Sequence, residues 1–277
     1  MKNKLPLILI MLTVLSVALA VGYTVYERSQ SSPGMPQISF DKSSIEAGVD
    51  ASDEELLRGV TASDPEDGDI TGSLIVEGIS RMHDGSAKVS YVAFDSQNHL
   101  ARAERTVRFT DYRQPVFSFT RGMEFKLSGN IDILKYIEAQ DMFDGDISDK
   151  VKYSIDSDTL SLSSVGEHQV TLRVTNSLGD TSHLTITVEV TADDPNAADI
   201  SLKQYVVYLP AGAEFDAASY VKGYTANGEQ KTGADGLRIE NKVDTDTPGV
   251  YNVKYSYGYG SSESHVRLTV VVEQGGA

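Results

Sequence analysis

The 277-residue sequence predicts an all-β chain, with three tandem antiparallel β-sandwiches following one N-terminal transmembrane helix. Three observations predict it. Apolar residues alternate at period 2 in pairs of long runs, each pair closed by a polar turn, and the arrangement occurs three times. An acidic turn, Asp64-Pro65-Glu66-Asp67-Gly68-Asp69-Ile70-Thr71, returns in shortened form as Asp141-Met142-Phe143-Asp144-Gly145-Asp146-Ile147-Ser148. Self-similarity of this kind marks a repeat architecture. Finally, an apolar run without charge extends from Leu5 to Val25 behind Lys2 and Lys4.

Residues 1–28 read as a membrane anchor or signal segment. The apolar run has 21 residues, and about 20 suffice to cross a bilayer as a helix. Ala18-Leu19-Ala20 also fits a small-x-small cleavage pattern, so secretion after signal cleavage is the alternative. The chain stays apolar past that point, and Tyr23 and Tyr26 stand where interfacial aromatics anchor a span. Either way Lys2 and Lys4 stay in the cytoplasm and everything after Tyr26 is outside. The expected location is the cell membrane, single-pass, with the C-terminal region extracellular. Residues 29–36 are a Ser/Pro/Gly linker.

The first segment spans 37–112. Gln37-Ile38-Ser39-Phe40 is a short alternating strand, and Asp53 to Arg58 can form one helical turn capped by Ser52 or Asp53. Its closing hairpin joins residues 88–94 and 106–109 around the turn Asp95-Ser96-Gln97-Asn98. The second segment spans 113–192 and closes with runs at 168–174 and 184–190. A Pro-containing polar linker covers 193–198. The third segment spans 199–273, with runs at 250–257 and 266–272, and 274–277 are a tail. Short strands with turn punctuation and no crossover helices argue for sandwiches.

Composition narrows the function classes. Lys and Arg number 24 against 40 Asp and Glu, a net charge of −16. Such a surface repels nucleic acid and suits an exported, soluble ectodomain. There is no cysteine, which excludes disulfides, zinc-thiolate sites and Cys nucleophiles. An exported chain without disulfides points to a bacterial surface protein.

These residues resemble the bacterial immunoglobulin-like repeat of many exported surface proteins and some pesticidal crystal proteins. That family reads, in outline, D-x-E-D-G-D-[IL]-T, then V-D-x-x-x-P-G-x-Y-x-V-x-Y, then D-x-x-G-N before the last strand. The first segment matches the first element at Asp64–Thr71 and the last at Asp95–Asn98, with Gln97 in place of Gly. The second keeps Asp144-Gly145-Asp146, and Val165-Gly166-Glu167-His168 replaces Pro-Gly-x-Tyr. The third lacks the acidic turn but carries Val243-Asp244 through Pro248-Gly249-Val250-Tyr251 to Tyr255 nearly intact. The resemblance implies three immunoglobulin-like domains. It implies no particular activity, because such folds host many tasks.

Candidate sites follow from the residues. Asp64, Glu66, Asp67 and Asp69 place four hard oxygen donors within six residues, a candidate calcium site although not with EF-hand spacing. The competing reading is a turn, with Gly68 and Gly145 at positive φ, Asp side chains accepting backbone N–H bonds, Ile70 and Ile147 facing the core, and Thr71 and Ser148 capping the next strand. No catalytic residues are assigned: the acidic pair recurs, and no basic residue sits beside either copy in sequence. The five His residues are scattered and read as surface residues, with His168 and His183 able to meet only across their hairpin. In the third segment, alternation puts Tyr251, Val253, Tyr255, Tyr257 and Tyr259 on one face, which reads as core. Tyr257 and Tyr259, at the hairpin tip, are the candidate binding residues. The expectation is a non-enzymatic surface stalk that displays or binds a glycan or protein of the cell envelope. A purely structural spacer is the alternative and a glycan or cell-wall hydrolase the least favoured. No cofactor other than candidate calcium, and no nucleic acid, is expected.

Overall fold

The computed structural model describes residues 16–17, 19–21, 23, 34–81, 85–127, 131–155, 162–192, 198–226, 228–258 and 263–274. The expected transmembrane helix falls almost wholly outside them, as do Tyr259 and most of the 193–198 linker. Among the described residues no helix is long and apolar enough to cross a membrane. The chain is all-β and divides into two compact units, one ending at Asp111 and one beginning at Tyr112.

Unit 1 contains β1 (Gln37–Phe40), β2 (Ser44–Ala47), α1 (Asp53–Leu56), β3 (Val60–Asp64), β4 (Gly68–Asp69), β5 (Ile75–Ile79), β6 (Ser86–Phe94) and β7 (Leu100–Phe109). One sheet runs β1-β3-β4 and the other β2-β7-β6-β5. The expected helical turn is α1, closed by a capping box between Ser52 and Glu55. Alternation along β6 sends Ala87, Val89, Tyr91 and Ala93 into the core, against Val107 and Phe109 of β7. Arg105 shares that inward parity. It is buried, it donates to the backbone carbonyls of Leu56 and Arg58 at the end of α1, and its guanidinium lies against the rings of Phe40 and Tyr91.

Unit 2 holds two further sheet pairs. The first uses β8 (Val116–Phe119), β9 (Glu124–Lys126), β10 (Ile137–Asp141), β11 (Gly145–Asp146), β12 (Lys152–Ile155), β13 (Gly166–Thr175) and β14 (Thr181–Thr191), ordered β11-β10-β8 and β12-β13-β14-β9. The second uses β15 (Asp199–Leu202), β16 (Val206–Pro210), β17 (Val221–Ala226), β18 (Glu229–Thr232), β19 (Arg238–Asn241), β20 (Gly249–Tyr257) and β21 (Ser264–Glu273), ordered β15-β17-β18 and β16-β21-β20-β19.

One expectation is corrected here. The sheets are not wholly antiparallel: β2 pairs parallel with β7, β9 with β14, and β16 with β21. The reason is a strand switch. The opening strand of each segment breaks after four residues, leaving β1, β8 or β15 in the small sheet. The chain then crosses over and joins the last strand of the large one. The stretches 113–192 and 199–273 have their own cores and touch within one compact unit. Val206 of β16 is buried in the core formed by the first sheet pair of unit 2. The Phe117 N–H donates to the Tyr208 hydroxyl at 2.8 Å, and burial pushes that phenol up to about 12.

Candidate functional site

The acidic turns are built as latches. In the turn from β3 to β4, Asp64 is buried, and its Oδ1 accepts the N–H groups of Glu66 (2.8 Å) and Asp67 (3.0 Å). Gly68 then takes φ +76°, a conformation that a side chain disfavours. Asp67 reaches the β6–β7 turn, where it accepts from the Ser96 N–H (2.6 Å) and hydroxyl (3.0 Å). Glu66 accepts from Gln97 Nε2 at 2.9 Å, and Asp69 accepts from the Thr71 N–H at 2.9 Å. The Thr71 hydroxyl and N–H hold the Asp69 carboxyl below the usual range.

The second copy repeats the Asx turn and the bonds to the hairpin tip. Asp141 Oδ1 accepts from Phe143 and Asp144 N–H, each at 2.9 Å. Asp144 accepts from the Ser177 N–H at 2.7 Å and pairs with Lys150 at 2.9 Å. Its carboxyl is held low, first by the Ser177 hydroxyl. Thr71 and Ser148 do not cap the next strand. Their hydroxyls accept from Ala62 and Ala139 N–H, each at 3.0 Å, tying the turn back to β3 and β10. Ile147 is buried as expected, whereas Ile70 is half-buried.

The partner of the first Asp differs between the copies. Asp141 Oδ2 accepts from Asn176 Nδ2 at 3.0 Å. At the matching place in the first copy stands Asp95, an acceptor, and Asp64 Oδ2 is buried with no hydrogen-bond partner. Asp95 instead bonds His99 Nδ1 at 2.7 Å. Burial works to raise the Asp95 carboxyl, but the His99 bonds outweigh it and hold it below the usual range. The candidate calcium ligands Asp64, Glu66, Asp67 and Asp69 are thus each turned towards protein donors. Among the described residues no group of three or more His, Asp or Glu side chains converges as a metal site.

Of the tyrosines, Tyr255 is fully buried and donates its hydroxyl to Ala217 O at 2.8 Å; burial raises its phenol. Tyr257 is half-buried, its ring 5.1 Å from that of Tyr224 at the edge of the core. Its companion Tyr259 lies outside the described residues. His168 and His183 do not meet, since they stand opposite Val188 and Arg173. His168 is buried rather than on the surface, its Nε2 2.9 Å from Ser164 O.

Two features escaped the sequence reading. On the outer face of the large sheet of unit 1, Phe94 faces Leu100 across the hairpin, and Ile75 pairs with Val92, which is itself buried. Ile75 (50 %), Leu100 (47 %) and Phe94 (38 %) are exposed. The parity of β6 could have found Phe94, because the residues that pack inward are 87, 89, 91 and 93.

The other feature is an ionic cluster where the two sheet pairs of unit 2 meet. Glu124 of β9 lies in register beside Glu189 of β14. From β21, the Arg267 N–H donates to Glu124 Oε1 at 3.0 Å, and its guanidinium bonds both Glu189 and Glu167. His265 Nε2 is 2.6 Å from Glu189 Oε2. Burial pushes the Glu124 carboxyl up to about 7, against the opposing pull of Arg267 and His265. Burial acts upward on Glu189 as well, but the bonds from His265 and Arg267 dominate and bring it to about 2. Single carboxylates far apart in sequence carry no local pattern, so only the tertiary contact reveals this group.

No family model matches the chain. It is 24 % identical over 190 residues to an uncharacterized 81.3 kDa protein of Acholeplasma phage L2. That match takes in 68 % of this chain and 24 % of the phage protein, so the chain spans about a quarter of its relative's length. Among solved structures, the M60 catalytic domain with two CBM51 domains of Clostridium perfringens ZmpB covers 87 % of this chain and 31 % of its own, at 10 % identity and TM-score 0.22. CBM51-2 in complex with GlcNAc and INT domains of the same ZmpB covers 58 % and 42 %, at 19 % identity and TM-score 0.27. Protocadherin Gamma B7 cadherin domains 1–4 cover 86 % and 76 %, at 15 % identity and TM-score 0.23. Likeness at this level says nothing about function.

Proposed function

We propose that the chain is a non-enzymatic bacterial surface stalk, three immunoglobulin-like domains that hold a glycan or protein partner of the cell envelope away from the membrane. The proposed location is the cell membrane, with residues 1–28 as anchor and the rest extracellular; secretion is the alternative. What supports the reading is how the polar residues are used. The acidic turns, the most reactive-looking groups in the sequence, are latched to hairpin tips by the same bonds in both copies. A repeated latch suits a module that keeps its shape.

Two faces are offered for contact. One is the hairpin tip at Tyr257 and Tyr259. The other is the exposed group Ile75, Phe94 and Leu100, whose apolar character fits an aromatic or aliphatic partner surface. The test is glycan-array and envelope pull-down binding by the full chain, compared with Tyr257→Ala plus Tyr259→Ala and with Phe94→Ser plus Leu100→Ser. Loss in either variant supports a binding stalk and names the face. Clean absence of binding by a folded chain favours a spacer, and turnover of any cell-wall glycan overturns the non-enzymatic reading.

A further inference from the structure

We propose that the contact between the two sheet pairs of unit 2 is a protonation-gated joint, closed when Glu124 carries a proton and loosened when it is ionised. The inference goes beyond the stalk reading and holds whatever the stalk displays.

The geometry is that of one guanidinium shared among three carboxylates. Arg267 bonds Glu189 and Glu167 with its side chain and reaches Glu124 only at 3.6 Å. The bond that Glu124 Oε1 does make is from the Arg267 backbone. Glu124 Oε2 is buried and has no partner. From β21, His265 is directed at Glu189. Arg121 bonds the backbone oxygens of Gly122 and Glu124, not the carboxylate. Beyond His265 stands Glu263, which is paired with Arg238 and Lys254. An ionised Glu124 therefore adds a charge whose nearby cation, Arg267 at 3.6 Å, is already bonded to two other carboxylates. A buried charge with only a shared, distant counterion is costly for a contact to hold. Gly122 fits the same picture, because a Cβ there would run into the Glu124 carboxylate and Val266.

The direction follows from linkage. In the closed joint the Glu124 carboxyl sits at about 7, against 4.5 when free. The closed form therefore holds the proton more tightly, and acidification favours closure. Between about pH 8 and about pH 5.5 the closed-to-open ratio rises roughly 25-fold. Glu189 works in the opposite direction only below its ordinary value of 4.5, outside this window.

The chain has no cysteine, so paired labels can be placed at will. Ser154→Cys on β12 and Gln230→Cys on β18, both exposed, put one spin label on each sheet pair. Distance distributions of the full chain by double electron–electron resonance should be narrow at about pH 5.5 and broadened at about pH 8. Glu124→Gln keeps the Oε1 acceptor, removes the titration, and should leave the distribution narrow at both. Identical wild-type distributions, or a pH dependence that survives Glu124→Gln, overturn the proposal. Should Glu124→Gln fail to fold, the carboxyl 13C shift of Glu124 in the wild-type chain decides. A midpoint near 7 that tracks the broadening supports the joint, and an ordinary midpoint near 4.5 overturns it.

Discussion

Truncating Arg105 should cost unit 1 a large part of its stability. The side chain is wholly buried, and the nearest carboxylate, that of Asp41, is 3.7 Å away and more than half exposed. What holds the guanidinium is neutral: Arg58 O at 3.0 Å, Leu56 O, the Tyr91 hydroxyl at 3.1 Å, and ring faces at 5.5 Å and 5.4 Å. In Arg105→Ala, Leu56 O keeps the Tyr91 hydroxyl at 2.8 Å, but Arg58 O loses its guanidinium donor and a cavity opens between the two rings. Charge-assisted bonds contribute about 1.5–3 kcal/mol each, and a desolvated ring contact about 2 kcal/mol. Relief from burying a charge offsets part of this, leaving a net loss of about 3–5 kcal/mol. With a urea slope of about 1.5 kcal/mol/M, the midpoint of unit 1 falls by about 2–3 M. Hydrogen exchange of residues 86–109 against urea reads this out separately from unit 2. Arg105→Met, which keeps the stem without the charge, should lose about half as much. A loss below about 1 kcal/mol for Arg105→Ala would refute the claim that this guanidinium fastens α1 to the large sheet.

Three other outcomes are expected. Asp95→Asn recreates in unit 1 the donor that Asn176 gives Asp141, so it should raise the melting midpoint by about a few degrees, and a decrease would count against the pairing of the two copies. Unit 2 should be most stable near pH 4.5. Above that value the closed state resists ionising Glu124, which costs about 3 kcal/mol by the time pH has passed 7. Below it, Glu189 loses its stabilising charge as pH falls towards 2; pH-dependent urea midpoints check both limbs. Millimolar calcium should leave the melting midpoint of unit 1 where EDTA leaves it, because Asp64, Glu66, Asp67 and Asp69 already accept protein donors, and a clear upward shift would restore the calcium reading.

The parts of the fold that were legible are those written locally. Period-2 alternation fixed the inward faces of β6, β13 and β20, and Ser52 with Glu55 spelled out the capping box of α1. The Asp-Gly-Asp turns were readable because positive φ needs Gly and the Asx bonds need Asp two or three residues back. The parallel pairs were not readable. β9 has three residues and β2 four, too short to show a period, and their partners are more than 60 positions away. The union of the two sheet pairs in unit 2 depends on Val206, Tyr208 and Arg267 facing outward from their own sheet, which looks like ordinary surface in sequence. The candidate site was half legible. The turns were found, but that their carboxylates point to the hairpin tips at Ser96 and Ser177 is a tertiary fact.

The strand switch also has a consequence under tension. In each segment a strand near the start runs parallel to the last strand, so tension on the two ends of the segment pulls that pair in opposite directions along its own axis. The ladder bonds then share the load together instead of opening one at a time, as a hairpin pulled from its open end would. Four residue pairs are in register between β2 and β7, three between β9 and β14, and five between β16 and β21. If these clamps set the yield point, the middle one gives way first and the last one holds longest. The chain would then lengthen in steps under a pull instead of breaking its grip at once.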